Sequence, residues 1–292
     1  MNTLYKRLIA VVGLAISLSA CQENSLVTPD KSVDASAEAV NDLIPVGLPK
    51  KYTLIKHGQA TLTYMGDGRL QKVAYGPGPI SYPYNSVSYT YGPQSIKVTS
   101  YWGNTVVLIE DYQLDANTGR CSAYKETSFV FYSFGTVTLE QNWAFQYNAL
   151  GQLKTRVSQN NGEKTTYTFN ADGDLSKASS TGIDGNPSKD ITFAYNQPVG
   201  DPILTDRNLL SSEWTSLPDP YLRIFGKSSK HLAKLITQKS FYGNQMPSTY
   251  YYTYTLNADG YVTEEKVFNV ANAVLMSTKS YNYLVTNIGF LQ

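Results

Sequence analysis

From Lys51 to the end of the chain, apolar and polar residues alternate in short runs, and the runs are separated by small polar turns rich in glycine. Side chains alternate faces along a β-strand, so this period of two predicts strands with one face buried. Three copies of one unit stand out: Phe145-Gln146-Tyr147-Asn148-Ala149-Leu150-Gly151-Gln152-Leu153, Tyr167-Thr168-Phe169-Asn170-Ala171-Asp172-Gly173-Asp174-Leu175 and Tyr254-Thr255-Leu256-Asn257-Ala258-Asp259-Gly260-Tyr261-Val262. Weaker copies surround Tyr64 and Leu114, and shortened ones lie at Tyr91, Tyr195 and Tyr283. The residues before the turns fall at 64, 91, 114, 147, 169, 195, 256 and 283, with most gaps between 22 and 33 residues. Such a period marks a repeat of one supersecondary element.

Asn and Asp tolerate left-handed backbone and bond to nearby amides, and glycine supplies positive φ without steric cost. Asn148, Gly151, Asn170, Asp172, Gly173, Asn257, Asp259 and Gly260 are therefore read as structural turn residues closing hairpins of four- or five-residue loops. Calcium needs six to eight oxygens from spaced carboxylates. Asp172-Gly173-Asp174 supplies too few, so the turns are not read as metal sites and no cofactor is expected. The expected fold is all-β: a large antiparallel meander of about 14–17 strands, curled into an open or closed barrel-like sheet.

One segment, residues 199–234, departs from the alternation and should be a short helical or irregular insert. Asp206 could cap a helix from Arg207 to Trp214, and Tyr221 to Phe225 could form a further turn ended by Gly226. Trp214, Tyr221 and Phe225 would stay wet unless this insert packs on the concave side of the sheet. They are the candidate residues for either a plug or a ligand contact.

The first 49 residues follow other rules. Lys6 and Arg7 precede an apolar run, Leu8–Leu18, too short to span a bilayer and fitting the h-region of a secretory signal. Leu18-Ser19-Ala20-Cys21 then resembles the bacterial lipobox, in which the cysteine is lipidated and becomes the mature N-terminus. Residues 1–20 are thus read as a lipoprotein signal peptide, Cys21 as the lipidation site and 21–50 as a flexible tether reaching on the order of 30 Å. Residues 51–292 form a single β-repeat domain. Lipidation of Cys21 leaves Cys121 without an intramolecular partner, in a context that reads as strand packing.

Composition narrows the function. The chain carries 24 basic and 23 acidic residues with no basic block, which excludes an electrostatic nucleic-acid binder. Neither His57 nor His231 lies in a known catalytic motif, and no nucleophile elbow or phosphate loop occurs. Glu110-Asp111 and Glu264-Glu265 are adjacent pairs, which in a strand point to opposite faces. No catalytic residue is assigned. The reading favoured is a non-enzymatic binding or scaffold lipoprotein of the cell envelope, most simply at the outer membrane, whose tyrosine-rich sheet suits a glycan or peptide. The alternatives are an envelope hydrolase acting on glycan or lipid and a transmembrane porin. The porin reading requires the mid-strand charges Lys97, Lys154, Arg156, Glu163, Lys164, Lys189, Lys239, Glu264 and Lys266 to avoid the lipid face.

Two families share these residues. The Tyr/Phe-Asn-x-x-Gly-x-Leu turns resemble the YD repeats of RHS-type proteins, which build large β shells, although the usual Tyr-Asp is missing. The lipobox, the same hairpins and the segment Tyr221-Leu222-Arg223-Ile224-Phe225-Gly226-Lys227-Ser228-Ser229-Lys230-His231-Leu232 together resemble a lipoprotein family of Bacteroidota, domain of unknown function 4595. That resemblance covers most of the body, with His231 where members tend to show Asn. It implies a porin-like meander sheet and no catalytic residues.

Overall fold

The computed structural model describes residues 50–287, apart from 77–83, 134, 198–199, 209 and 244–245. The leader, Cys21 and the tether up to residue 49 lie outside the described residues. The strands are β1 (Lys50–His57), β2 (Ala60–Tyr64), β3 (Leu70–Tyr75), β4 (Ser86–Tyr91), β5 (Ser95–Trp102), β6 (Thr105–Leu114), β7 (Cys121–Tyr132) and β8 (Gly135–Tyr147). They continue as β9 (Leu153–Ser158), β10 (Lys164–Phe169), β11 (Leu175–Thr181), β12 (Pro187–Ala194), β13 (Leu235–Ser240), β14 (Ser248–Leu256), β15 (Val262–Asn269) and β16 (Val274–Asn287). Each pairs antiparallel with its sequence neighbours, and β1 closes on β16 through pairs such as Leu54↔Tyr283, so the meander is a closed barrel without free edges. Every strand finds both neighbours within Lys50–Asn287, which makes this segment a complete folding unit.

The repeat has a recurrent local geometry. In the clearest units the Asn side chain accepts from the backbone N–H four residues on (Gln152 from Asn148, Asp174 from Asn170, Tyr261 from Asn257), and the glycine N–H bonds back to the Asn carbonyl. Gly151, Gly173 and Gly260 take φ of 80°, 88° and 79°, where a β-carbon would be strained. A register shift follows each turn, so that Tyr64 faces Leu70, Leu114 faces Cys121, Tyr147 faces Leu153, Phe169 faces Leu175 and Leu256 faces Val262.

Successive hairpins are then joined by tyrosine. Tyr91 donates its hydroxyl to the carbonyl of Leu70, Tyr147 to Cys121, Tyr195 to Leu175 and Tyr283 to Val262. In each case the acceptor is the first residue of a strand in the hairpin before. Phenylalanine fills the ring space but leaves that carbonyl without its donor, which explains tyrosine at these four positions. Cys121 occupies the place that Leu70, Leu175 and Val262 hold in other units, and it is fully buried. Burial pushes its thiol up to about 12, so it is a packed, unreactive residue.

The two faces of the wall differ in chemistry. Val73, Val87, Tyr89, Val98, Tyr112, Tyr124, Phe145, Tyr167, Ile191 and Ile236 point inward and are buried. Outward positions carry Thr, Ser and charge, with ion pairs Lys97–Asp111, Lys125–Glu140, Lys177–Asp190 and Lys266–Glu264 spread around the circumference. Arg156, by contrast, faces inward and lies 3.6 Å over the Trp143 ring.

A sheet this large leaves a wide lumen, and the segment between β12 and β13 fills much of it. Its chain enters at the Asn–Gly end. The expected helix from Arg207 to Trp214 does not form; the described residues there contain one 3₁₀ turn, Glu213–Thr215, capped by Ser212. The backbone donors that a helix would use are taken locally, Asn208 N–H by Asp206 and Trp214 N–H by Ser212, and the Asn208 carbonyl accepts from Arg223.

Candidate functional site

The plug is held to the wall by polar contacts at several heights. Near the Asn–Gly end, the Asp174 carboxylate accepts from the backbone N–H groups of Lys230 and His231 and lies 2.7 Å from His231 Nδ1. Asp174 is thus turned into the barrel to seat the plug. Gly226, at φ 85°, packs so closely that a β-carbon would stand 2.6 Å from the Gly151 carbonyl. Lys227 N–H donates to that same carbonyl.

Deeper in the lumen, Asp219 is buried and accepts from Tyr89 and from the N–H groups of Tyr221 and Leu222. Glu110, from β6, is buried beside it and accepts from Tyr112. Burial, reinforced by the charge of Asp219, pushes the Glu110 carboxyl up to about 8, while the Tyr112 bond opposes the rise. Burial also raises Asp219, against its three hydrogen bonds. Arg156 donates to the Ser216 carbonyl, and Tyr167 to that of Thr215. Glu110 is a residue that sequence reasoning missed. Its neighbour Asp111 does point the other way, but its carboxyl partner comes from the plug, more than a hundred residues later.

The sequence candidates sit at three different places on this plug. Phe225 is buried against Tyr112 and Phe145 of the N-terminal half. Trp214 packs on Tyr250 and donates its indole N–H to Tyr252 in the C-terminal half. Tyr221 bonds His57 Nδ1 at 3.1 Å on β1. The plug therefore touches the wall on both sides.

Between the plug and the wall of β10–β16 and β1 remains a cavity of about 800 Å³. Trp214, Tyr221, Tyr252, Tyr254 and Tyr281 give it aromatic walls, and all three candidate rings, Phe225 included, contribute to its lining. Volume and lining are those of a small-molecule site, mostly apolar with a few fixed polar groups. Among those groups Glu265 and Lys279 lie 3.5 Å apart, with Tyr281 donating to the other oxygen of Glu265 at 3.2 Å. Asp206, Asn208, Lys227 and His231 from the plug also line it, as does His57. Its ring lies 4.6 Å from that of Tyr281, and its Nε2 is buried with no hydrogen-bond partner among the described residues. Burial, helped by Lys279, lowers His57 to about 4, so the imidazole is neutral at physiological pH. Glu110 and Asp219, the carboxyls with raised pKa, do not line this cavity. Among the described residues no group of three His, Cys, Asp or Glu side chains could hold a metal ion.

The architecture has counterparts among solved structures. A porin-like protein from Bacteroides uniformis ATCC 8492 matches with a TM-score of 0.53 and 17% identity, over 81% of this chain and 95% of that one. A porin-like protein from Bacteroides vulgatus ATCC 8482 matches with a TM-score of 0.54 and 11% identity, over 80% of this chain and 99% of that one. The fold is porin-like. At these identities the likeness concerns the fold alone. No protein-family profile matches the sequence, and no curated protein matches it either.

Proposed function

We propose that this protein is a non-enzymatic lipoprotein of the bacterial envelope, anchored through Cys21, that binds a compact ligand in the cavity between plug and wall. The observation carrying this reading is the cavity of about 800 Å³ walled by aromatic rings, with the Glu265–Lys279 pair in its lining. Tyrosine rings stack on the apolar face of a sugar or a peptide side chain, and Glu265 and Lys279 supply directional bonds. A short glycan or peptide is the ligand class these groups suit. The lipobox and the hairpin pattern support placing the chain with the Bacteroidota lipoproteins of domain of unknown function 4595.

The transmembrane alternative fits poorly. A lysine at the midplane of a membrane barrel costs about 2–4 kcal/mol, and outward Lys97, Lys125, Lys177 and Lys266 lie on four different strands. Hydrolysis would need an acid and a base reaching one bond, and the two carboxyls with raised pKa, Glu110 and Asp219, do not line the cavity.

A glycan and peptide array screen of residues 48–292 tests the proposal. Ligands captured by the wild type should be lost in Lys279→Met, with the thermal melt preserved. Retained binding in Lys279→Met and in Tyr254→Ala together would remove the cavity from consideration.

A further inference from the structure

The two ends of the barrel carry different chemistry. At one end lie the Asn–Gly turns and the entry of the plug, where the exposed apolar side chains are scattered: Leu150 in a turn, Ile203 in the segment before β13, and Leu284 and Val285 on β16. At the other end, five hairpins each present large apolar side chains to solvent at or beside their tips. Trp102 stands at the β5–β6 turn, Phe131 and Leu139 on β7–β8, Ile183 at β11–β12, and Tyr242 and Leu275 at β13–β14 and β15–β16. Of these, Trp102, Phe131, Leu139, Ile183 and Tyr242 are each more than half exposed. The β7–β8 hairpin also stands beyond the rim, with Val130 and Val137 paired on one of its faces.

We infer that this end of the barrel is a docking surface for a lipid bilayer. Three observations favour lipid over a protein partner. Trp102, Phe131, Ile183, Tyr242 and Leu275 sit at or beside the tips of five separate hairpins, so they mark out a plane and not a groove, and a fluid planar surface meets them together. Trp and Tyr mixed with Phe, Leu and Ile is the composition of a membrane–water interface. Lys239 lies 4.8 Å over the Phe241 ring beside Tyr242, a cation placed level with headgroups. The chain outside the barrel adds a fourth. The 28 residues between Cys21 and Lys50 span at most about 95 Å when extended. On the Cys21 anchor of the proposed function, on which this fourth argument rests, the rim can therefore reach the same membrane although Lys50 begins at the opposite end.

Docking would also orient the cavity. Gly58 and Gln59 of the β1–β2 turn and the exposed Met276 near the start of β16 line it, so its mouth would open toward the bilayer. The surface assignment does not depend on what the cavity holds.

The test is flotation of residues 48–292, which lack the lipidated cysteine, with vesicles of phosphatidylcholine and phosphatidylglycerol. Wild type should float, and vesicles with brominated acyl chains should quench Trp102. The triple variant Trp102→Ser, Phe131→Ser, Leu275→Ser should bind about tenfold less or weaker still. Leu150→Ser, at the other end, should bind as wild type. All three altered side chains are exposed, and an unchanged melt verifies the fold. Failure of the wild type to float, or equal flotation of the triple variant, overturns the assignment. A wild type that stays off vesicles but sediments as a dimer, becoming monomeric in the triple variant, would also overturn it and make the rim a contact between copies.

Discussion

Glu110→Gln should make the protein more stable at alkaline pH and leave it nearly unchanged in mild acid. Glu110 is buried, its ordinary value is 4.5, and inside the barrel it is pushed up to about 8. The folded state therefore holds a proton that the unfolded chain has released between those values. Stability is full below about pH 4.5 and falls as the pH climbs to about 8. Each pH unit of this interval is worth about 1.4 kcal/mol, so the total is on the order of 3–5 kcal/mol. Glutamine keeps an oxygen acceptor for the Tyr112 hydroxyl, 3.0 Å away, and carries no charge to desolvate. Asp219 shifts in the same direction and is present in both proteins, so the difference between them reports Glu110 together with its repulsion from Asp219. Urea unfolding of residues 48–292 at about pH 5 and pH 8.5 measures it. The variant should gain a few kcal/mol at pH 8.5 and less than about 1 kcal/mol at pH 5. A difference that does not change with pH, or a variant less stable at pH 8.5, would mean that Glu110 is not held protonated between plug and wall.

Other consequences follow from single contacts. Asp174→Ala removes the acceptor for three donors of Lys230 and His231 and should cost about 3 kcal/mol or more, with proteolysis appearing first within residues 226–232. Tyr147→Phe and Tyr283→Phe should each cost about 1 kcal/mol in melts, since only the hydroxyl clasp to the preceding hairpin is lost. Gly226→Ala should cost at least about 1–3 kcal/mol from its positive φ, and more from the collision with the Gly151 carbonyl; an unchanged melt would contradict the seating of the plug there. Cys21→Ala should abolish incorporation of labelled fatty acid and release the protein from the membrane fraction.

Much of the fold was legible in the sequence because a repeat states its rule many times over. The alternation at Tyr167-Thr168-Phe169 and the Asn-x-x-Gly turns specify hairpins locally, and counting them gives the strand number. Closure was not legible, since the pairing of β1 with β16 joins residues more than two hundred positions apart. Residues 200–234 obey no local rule. Their path is set by what the lumen offers, which is why Trp214, Tyr221 and Phe225 could be marked as rings needing burial while their partners could not be named. The Arg207–Trp214 helix failed for the same reason, with short-range side-chain bonds and the wall deciding the backbone. His57 and Glu265 were visible as residues but not as neighbours, because the Tyr281 and Lys279 that bring them together lie on β16.

The central claim is that the barrel, proposed to face water, carries residues 200–208 and 210–234 as an ordered plug inside its lumen. Hydrogen exchange of residues 48–292 in detergent-free buffer tests this directly. Amides of Tyr221, Leu222, Lys227, Lys230 and His231, bonded to buried acceptors in the plug and wall, should exchange as slowly as the β5–β6 and β14–β15 ladders and become exposed with them on unfolding. Exchange of this segment at the rate of an open loop, or a barrel that keeps its protected strands only in detergent, would contradict the account.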